Sequence, residues 1–287
     1  SITTHSIYVR LLHTTCSFSI SKYFFYSVFK DIDCYNYMIS SKEFKDKCDL
    51  VICPRYNPSI QIPSVTPKCI FITGENGVFE QCIQYLKKFQ DTYDLVYHCT
   101  DRTFDRFDFE CVRPYVKHIW AVNCEINHPM ITQLPLGFSD KHVPKQANVN
   151  KDILCYMNVG LPNTQELKFI RYHSLRSDCI TRFKTKSWCT VESGISQDEF
   201  NDKLNRSKFV ICPMGFGIDT HRFFESVWLG CTPIVVSTGL DTLYRKYNAL
   251  IVDSWEDVTE ELLLNHEHKA IPEHLFDVNY FFNVDKI

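Results

Sequence analysis

The sequence predicts an α/β protein built as two parallel-sheet halves facing a central cleft, and three observations predict it. Short apolar runs alternate with amphipathic stretches. In the second half a glycine-bearing turn joins one such run to a helix, the local pattern of a doubly wound sheet. The polar segment at 140–152, DKHVPKQANVNKD, separates two stretches that each show the alternation, as a linker would.

Taken in order, strand patterns in the first half fall at 6–12, 50–53, 69–72, 95–97, 119–122 and 131–136. Residues 80–89 (EQCIQYLKKF) carry apolar side chains at helical spacing and read as a helix between two of them. The second half restarts with a strand at 153–157, a helix over 164–176, a strand near 188–191 and a helix at 196–205. Ser196 and Glu199 have the spacing of a capping box, which fixes where that last helix begins. A strand at 208–212, a helix at 220–229, strands at 233–236 and 249–252, and a helix at 255–264 opened by Ser254 complete the pattern. The boundaries are 1–145 for the first domain, 146–270 for the second and 271–287 for a C-terminal segment, giving two Rossmann-like domains.

Composition excludes several function classes. With 31 Lys+Arg against 34 Asp+Glu the net charge is −3, so the chain lacks the basic footprint of a nucleic-acid binder. Hydrophobic residues make up 45% in a chain of 287, enough for two cores and unlike a disordered chain. No stretch approaches the ~18 uninterrupted apolar residues of a membrane span. The 14 cysteines contain no Cys-x-x-Cys pair and lie in apolar settings such as Val210-Ile211-Cys212. They read as reduced core thiols of a cytoplasmic protein, with some disulfides as the alternative.

Chemistry concentrates in residues 208–236, KFVICPMGFGIDTHRFFESVWLGCTPIVV. Gly215 and Gly217 let backbone approach a ligand at the carboxyl end of a strand. The helix start at Asp219 and Thr220 offers free amides and the positive end of a dipole, a seat for phosphate. His221 and Arg222 in its first turn oppose that dipole unless an anion sits beside them. Glu225, one turn on, lies within reach of a ribose diol, or pairs with Arg222 on a solvated face. Asn158 and Gly160 follow the first strand of the second half, and Ser237 and Thr238 follow a later one, all positioned to meet phosphate oxygens. Lys168 and Arg171 either add charge there or are surface residues.

The string S-K-F-x-x-C-P-x-G-x-G-x-D-T-x-R-F-x-E-x-x-x-x-G-C-x-P-I-V resembles the donor-binding segment of exostosin-like glycosyltransferases, closely over 206–264 and only loosely in the first half. That resemblance implies a GT-B fold and an inverting enzyme using a UDP-sugar, with Arg222 on the diphosphate or base and Glu225 on the ribose. Gly215, Gly217, Asp219, Thr220 and His221 would line the same pocket. UDP is carried on the co-substrate, and no cofactor or metal is required. Among the family's donors UDP-xylose is the first expectation, with a glycan or glycoprotein hydroxyl as acceptor. Without a visible anchor or stem the chain resembles compact, soluble members encoded by large DNA viruses, which implies the host cytoplasm. Thr73-Gly74-Glu75-Asn76 is similar to a tetrapeptide of GT-B fucosyltransferases in which the glutamate is the base, so Glu75 is either the general base or a solvated loop acid. Asp101, His98 and His13 are its reserves. Leu136-Gly137-Phe138 resembles the hinge of GT-B proteins, and Phe276, Tyr280, Phe281 and Phe282 would pack back on the first domain, as C-termini of this fold do.

Three further features remain open. Asp31-Ile32-Asp33 has the D-x-D form of a metal–nucleotide site but lacks a strand before it. His266 and His268 fall on different helix faces, which disfavours a shared metal. The aromatic cluster Tyr23–Tyr26 with Phe29, Tyr35 and Tyr37 is core packing or a sugar-stacking platform. Alternatives to the leading activity are a GDP-fucose-dependent transferase, a nucleotide-sugar epimerase and a non-catalytic glycan-binding protein.

Overall fold

A computed structural model describes residues 38–55, 67–75, 77–88, 92–160 and 170–282, with side chains of 170–175 excepted. The described residues all belong to one compact unit. The expected strand at 6–12, His13, the Asp31-Ile32-Asp33 motif and the aromatic cluster lie outside the described residues, as does the side chain of Arg171.

The described residues form two five-stranded sheets, parallel throughout, as the alternation of apolar runs and amphipathic helices requires. The first contains β1 (Leu50–Ile52), β2 (Cys69–Ile72), β3 (Tyr93–Tyr97), β4 (Val116–Ala121) and β5 (Ile131–Gln133), side by side in chain order. The second contains β6 (Ile153–Asn158), β7 (Cys189–Glu192), β8 (Ser207–Ile211), β9 (Thr232–Val236) and β10 (Leu250–Val252), in the order β10-β9-β8-β6-β7. In that order the winding direction reverses between β6 and β8, which opens a crevice at their carboxyl ends.

The helices are α1 (Ser41–Lys45), α2 (Val78–Lys88), α3 (Arg106–Val112), α4 (Ile170–Lys184), α5 (Gln197–Arg206), α6 (His221–Trp228), α7 (Asp241–Lys246), α8 (Glu260–Asn265) and α9 (Val278–Phe281). The capping box expected of Ser196 and Glu199 opens α5. A second box, Asp105 with Asp108, opens α3, a helix the apolar spacing alone does not announce.

Several element boundaries differ from expectation. The strand expected at 131–136 stops at Gln133, because Pro135 has no N–H to continue a ladder. Helix α4 runs to Lys184 rather than 176, since no Gly or Pro interrupts it. The helix expected over 255–264 breaks in two. Asp257 closes the capping box on Ser254 over a short 3-10 turn, and Thr259 then caps α8 by accepting from Leu262 N–H at 3.2 Å.

The polar segment 140–152 is pinned along the second sheet's helices. Asn205 accepts from Ala147 N–H at 2.9 Å, Gln146 donates to the Trp228 carbonyl at 2.7 Å, and the Trp228 indole donates to Pro144 at 2.9 Å. Lys151 is held by the carbonyls of Asn205, Ser207 and Leu229. The chain end packs back across both halves. Phe276 lies against Phe138, Trp228 and Tyr247, and Phe282 meets Phe44 and Trp120.

The cysteines among the described residues are free thiols, buried except for the half-buried Cys48 and Cys111. Burial pushes the thiols of Cys82 and Cys212 up to about 12, which fits small packing residues rather than nucleophiles. Among the described residues no helix is long and apolar enough to cross a membrane.

Candidate functional site

The carboxyl ends of the two sheets meet, and the loops between them build the site. The turn after β8 folds on itself, Gly215 N–H donating to the Gly217 carbonyl at 2.9 Å. Both glycines sit at close approaches, tighter at Gly217, where a backbone carbonyl is among the neighbours. A Cβ on Gly215 would lie 2.8 Å from Nη2 of Arg176, and one on Gly217 would lie 2.8 Å from Nδ2 of Asn123 and 3.1 Å from the Asp101 carbonyl.

Arg176 projects from α4 into the crevice between β6 and β8. Its Nε donates to the Met214 carbonyl at 3.0 Å and its Nη1 to the Gly160 carbonyl at 2.9 Å, so one guanidinium joins the two loops of the switch point. Burial and the neighbouring positive charge of Arg222 both push its pKa down.

Helix α6 begins beside them. Thr220 is its N-cap but makes no side-chain capping bond, and the first turn carries no acid. Arg222 has a buried Nε with no hydrogen-bond partner, and its guanidinium lies over the Phe200 ring at 5.8 Å. Two guanidiniums thus face the crevice, neither in an ion pair or hydrogen bond with a carboxylate among the described residues, although Asp101 and Glu225 act on them electrostatically. Burying unpaired cationic donors is costly, and an anion is the group that relieves the cost. Glu225 is buried to 9% exposure and its carboxylate forms neither an ion pair nor a hydrogen bond among the described residues, so the solvated Arg222–Glu225 pair is not formed. Burial raises its carboxyl above the ordinary value, opposed by the charges of Arg222, His221 and His142.

Asp219 occupies a different position. At 2% exposure it accepts from Leu136 N–H at 2.8 Å, Thr220 N–H at 2.9 Å and the Tyr244 hydroxyl at 3.2 Å. Its own N–H donates to Oδ1 of Asn123 at 2.8 Å. Asp219 therefore staples the two halves, and burial holds its carboxyl up at about 7. His221 makes a parallel tie, its Nδ1 bonding the Gly137 carbonyl at 2.7 Å. Gly137 has φ +71, and a Cβ there would strike the Ile39 carbonyl, whose oxygen also accepts from Phe138 N–H at 2.8 Å.

The remaining expected residues scatter around this centre. Ser237 donates to Asp241 at 2.8 Å and Thr238 N–H does so at 2.9 Å, so both serve the start of α7. Gly239 beside them is tied to the first half through Glu125 at 3.0 Å and Gln133 at 2.7 Å. Asn158 donates to the Tyr156 hydroxyl at 3.2 Å at the end of β6. Glu75 sits exposed on the loop after β2, and its carboxylate makes no hydrogen bond among the described residues. His98 is fully buried; burial pushes it down to about 4, and it accepts from Cys99 N–H on Nδ1 while Nε2 donates to the Pro135 carbonyl.

Arg176 and Asn123 are the two residues the sequence reading missed. No local signal marks Arg176, whose role depends on β6 lying beside β8. Asn123 adopts φ 51, a left-handed conformation that Asn tolerates, directly after an apolar strand. A cavity of about 400 Å³ opens beside the tie, lined by Ser41, Arg55, Phe138, Asp140, Lys141 and His221, among others. No group of three or more His, Cys, Asp or Glu suited to a metal occurs among the described residues.

Comparison with known proteins bears on the second half. Residues 148–263 match the family model described as the RXYLT1 C-terminal domain, so the resemblance to exostosin-like glycosyltransferases holds for that stretch. No curated protein matches the chain. Sucrose-phosphate synthase from Thermosynechococcus elongatus superposes with TM-score 0.41 at 10% identity, over 69% of this chain and 65% of that one. UDP-GlcNAc 2-epimerase from Methanocaldococcus jannaschii gives TM-score 0.37 at 11% identity, over 75% and 74%. The pneumococcal O-GlcNAc transferase GtfA in complex with UDP and GlcNAc gives 0.34 at 11% identity, over 68% and 48%. The chain thus spans just under two thirds of the synthase and about half of GtfA.

Proposed function

We propose that the protein is an inverting glycosyltransferase that takes a sugar from a UDP-sugar, UDP-xylose first, to a glycan hydroxyl. One observation carries the reading: the unpartnered Nε of Arg222, set against Arg176 at the switch point, is a site short of a diphosphate. The glycine turn supports it by leaving room for backbone to approach that group, and the uncapped start of α6 adds its dipole. Glu225, buried and unpaired one turn along α6, is the acceptor for the ribose hydroxyls.

In this reaction the bond from the anomeric carbon to the diphosphate breaks, and its electron pair leaves with UDP. Negative charge grows on the leaving oxygen as the bond lengthens. Arg222 and Arg176 are fixed beforehand, so they stabilise that charge without reorganising, and such stabilisation is the larger part of catalysis at sites of this type. The match of residues 148–263 to the RXYLT1 C-terminal domain supports xylose as the first donor to try.

The test is a thermal-shift panel of nucleotides and nucleotide-sugars, followed by UDP release with and without glycan acceptors. Stabilisation by UDP and acceptor-dependent release from UDP-xylose are expected. Stabilisation by GDP instead would assign a different donor. UDP release without any acceptor would favour a hydrolase or hydrolysing epimerase, conversion to an isomeric sugar nucleotide would favour an epimerase, and no shift with any nucleotide would end the enzyme reading.

A further inference from the structure

We infer that His221 is the general base that deprotonates the acceptor hydroxyl, an inference that rests on the transferase reading above. The Gly137 carbonyl can only accept, so the 2.7 Å contact places the proton of the neutral ring on Nδ1 of His221. Nε2 then carries the lone pair. It has no hydrogen-bond partner among the described residues, and the ring lines the cavity of about 400 Å³. A base needs this arrangement: a basic nitrogen open to substrate, and the other nitrogen anchored so that ring and tautomer stay put.

Its neighbours make the placement useful. Arg222 is the next residue on α6, so the proton acceptor and the cation that receives the leaving group are held by one rigid element. Glu225 is one turn further on, and the charge of His221 acts on its carboxyl. The cavity walls carry Ser41 and Lys141, groups able to hold a hydroxylated acceptor. The acceptor oxygen loses its proton to Nε2 as it bonds the anomeric carbon, while the bond to the diphosphate breaks and UDP carries away the electron pair. The proton on Nε2 then passes to water.

The other acids fit less well. Glu75 is exposed on a loop with nothing to orient its carboxylate, and the charge of Asp101 acts on Arg176 at the switch point, away from the cavity. His98 uses both ring nitrogens internally.

The experiment compares the parent with His221→Asn and His221→Ala, using UDP-xylose and a panel of methyl glycosides. Asn can still donate to the Gly137 carbonyl but has no basic nitrogen. The expected result is an unchanged UDP-induced thermal shift, a 10²–10⁴-fold loss of acceptor-dependent UDP release, and partial recovery of the Ala variant by added imidazole. A UDP shift in the parent with turnover of both variants within threefold of parental overturns the base assignment, as does loss of turnover in Glu75→Gln or Asp101→Asn with His221→Asn active. Loss of the UDP shift in His221→Asn overturns it too, by making His221 a donor ligand. A parent that shows neither shift nor transfer refutes the transferase reading instead.

Discussion

Replacing Arg222 with methionine separates a binding cation from a structural one. In the unliganded protein Nε of Arg222 is buried without a partner, a defect worth about 1–3 kcal/mol. The guanidinium also lies 5.8 Å from the Phe200 ring, a contact worth about 0.5–1 kcal/mol that the substitution removes. Methionine fills similar space and keeps a sulfur–aromatic contact. The balance leaves the Arg222→Met protein as stable as the parent or more stable by up to about 2 kcal/mol. At 2–4 °C per kcal/mol for a domain of this size, thermal unfolding shows no change or a rise of roughly 6 °C. The response to ligand moves the other way. A parent at a hundredfold excess of UDP over Kd gains about 2.7 kcal/mol, and the variant loses most of that gain. Differential scanning fluorimetry with and without UDP reads both quantities. A variant that unfolds several degrees below the parent and still responds fully to UDP would show that Arg222 holds the fold and refute the reasoning.

Other expected outcomes follow from the staple between the halves. Gly217→Ala drives a Cβ to 2.8 Å from Asn123, the residue that receives Asp219 N–H, so urea titration should show a loss of about 1–3 kcal/mol. His98 is held at about 4 against an ordinary 6.5, so its contribution is present at neutral pH and is lost as pH falls. Asp219, held up at about 7 against an ordinary 3.8, works in the opposite sense: its contribution is present at low pH and lost as pH rises. Between pH 6.5 and 5 each amounts to about 2 kcal/mol, so they nearly cancel in the parent. His98→Gln should therefore gain stability relative to the parent on acidification, and Asp219→Asn should lose it; parallel stability–pH curves for all three proteins would refute both assignments.

How much of this could be read in the sequence follows from the range over which each feature is determined. The strand–glycine–helix unit at 208–236 is local, so its apolar run, close-approach glycines and helix start are visible in consecutive residues. The same local logic found the Ser196–Glu199 box but passed over the Asp105–Asp108 box, which opens a helix of seven residues. Arg176 was out of reach for a different reason. Its role arises because the sheet order sets β6 beside β8, bringing the Gly160 and Met214 carbonyls to one guanidinium. Asp219 shows the same limit. From sequence it reads as a polar residue at a helix start, yet its bonds to Leu136 and Asn123 span 83 and 96 residues. Burial decides its character, and burial is set by the meeting of the two sheets.

The most direct measurement is a calorimetric titration of UDP into the parent and into Arg222→Met. The account predicts one saturable UDP site per chain in the parent, and binding weakened at least a hundredfold in the variant. Equal UDP affinity in the two proteins, or no UDP binding by the parent, would contradict it.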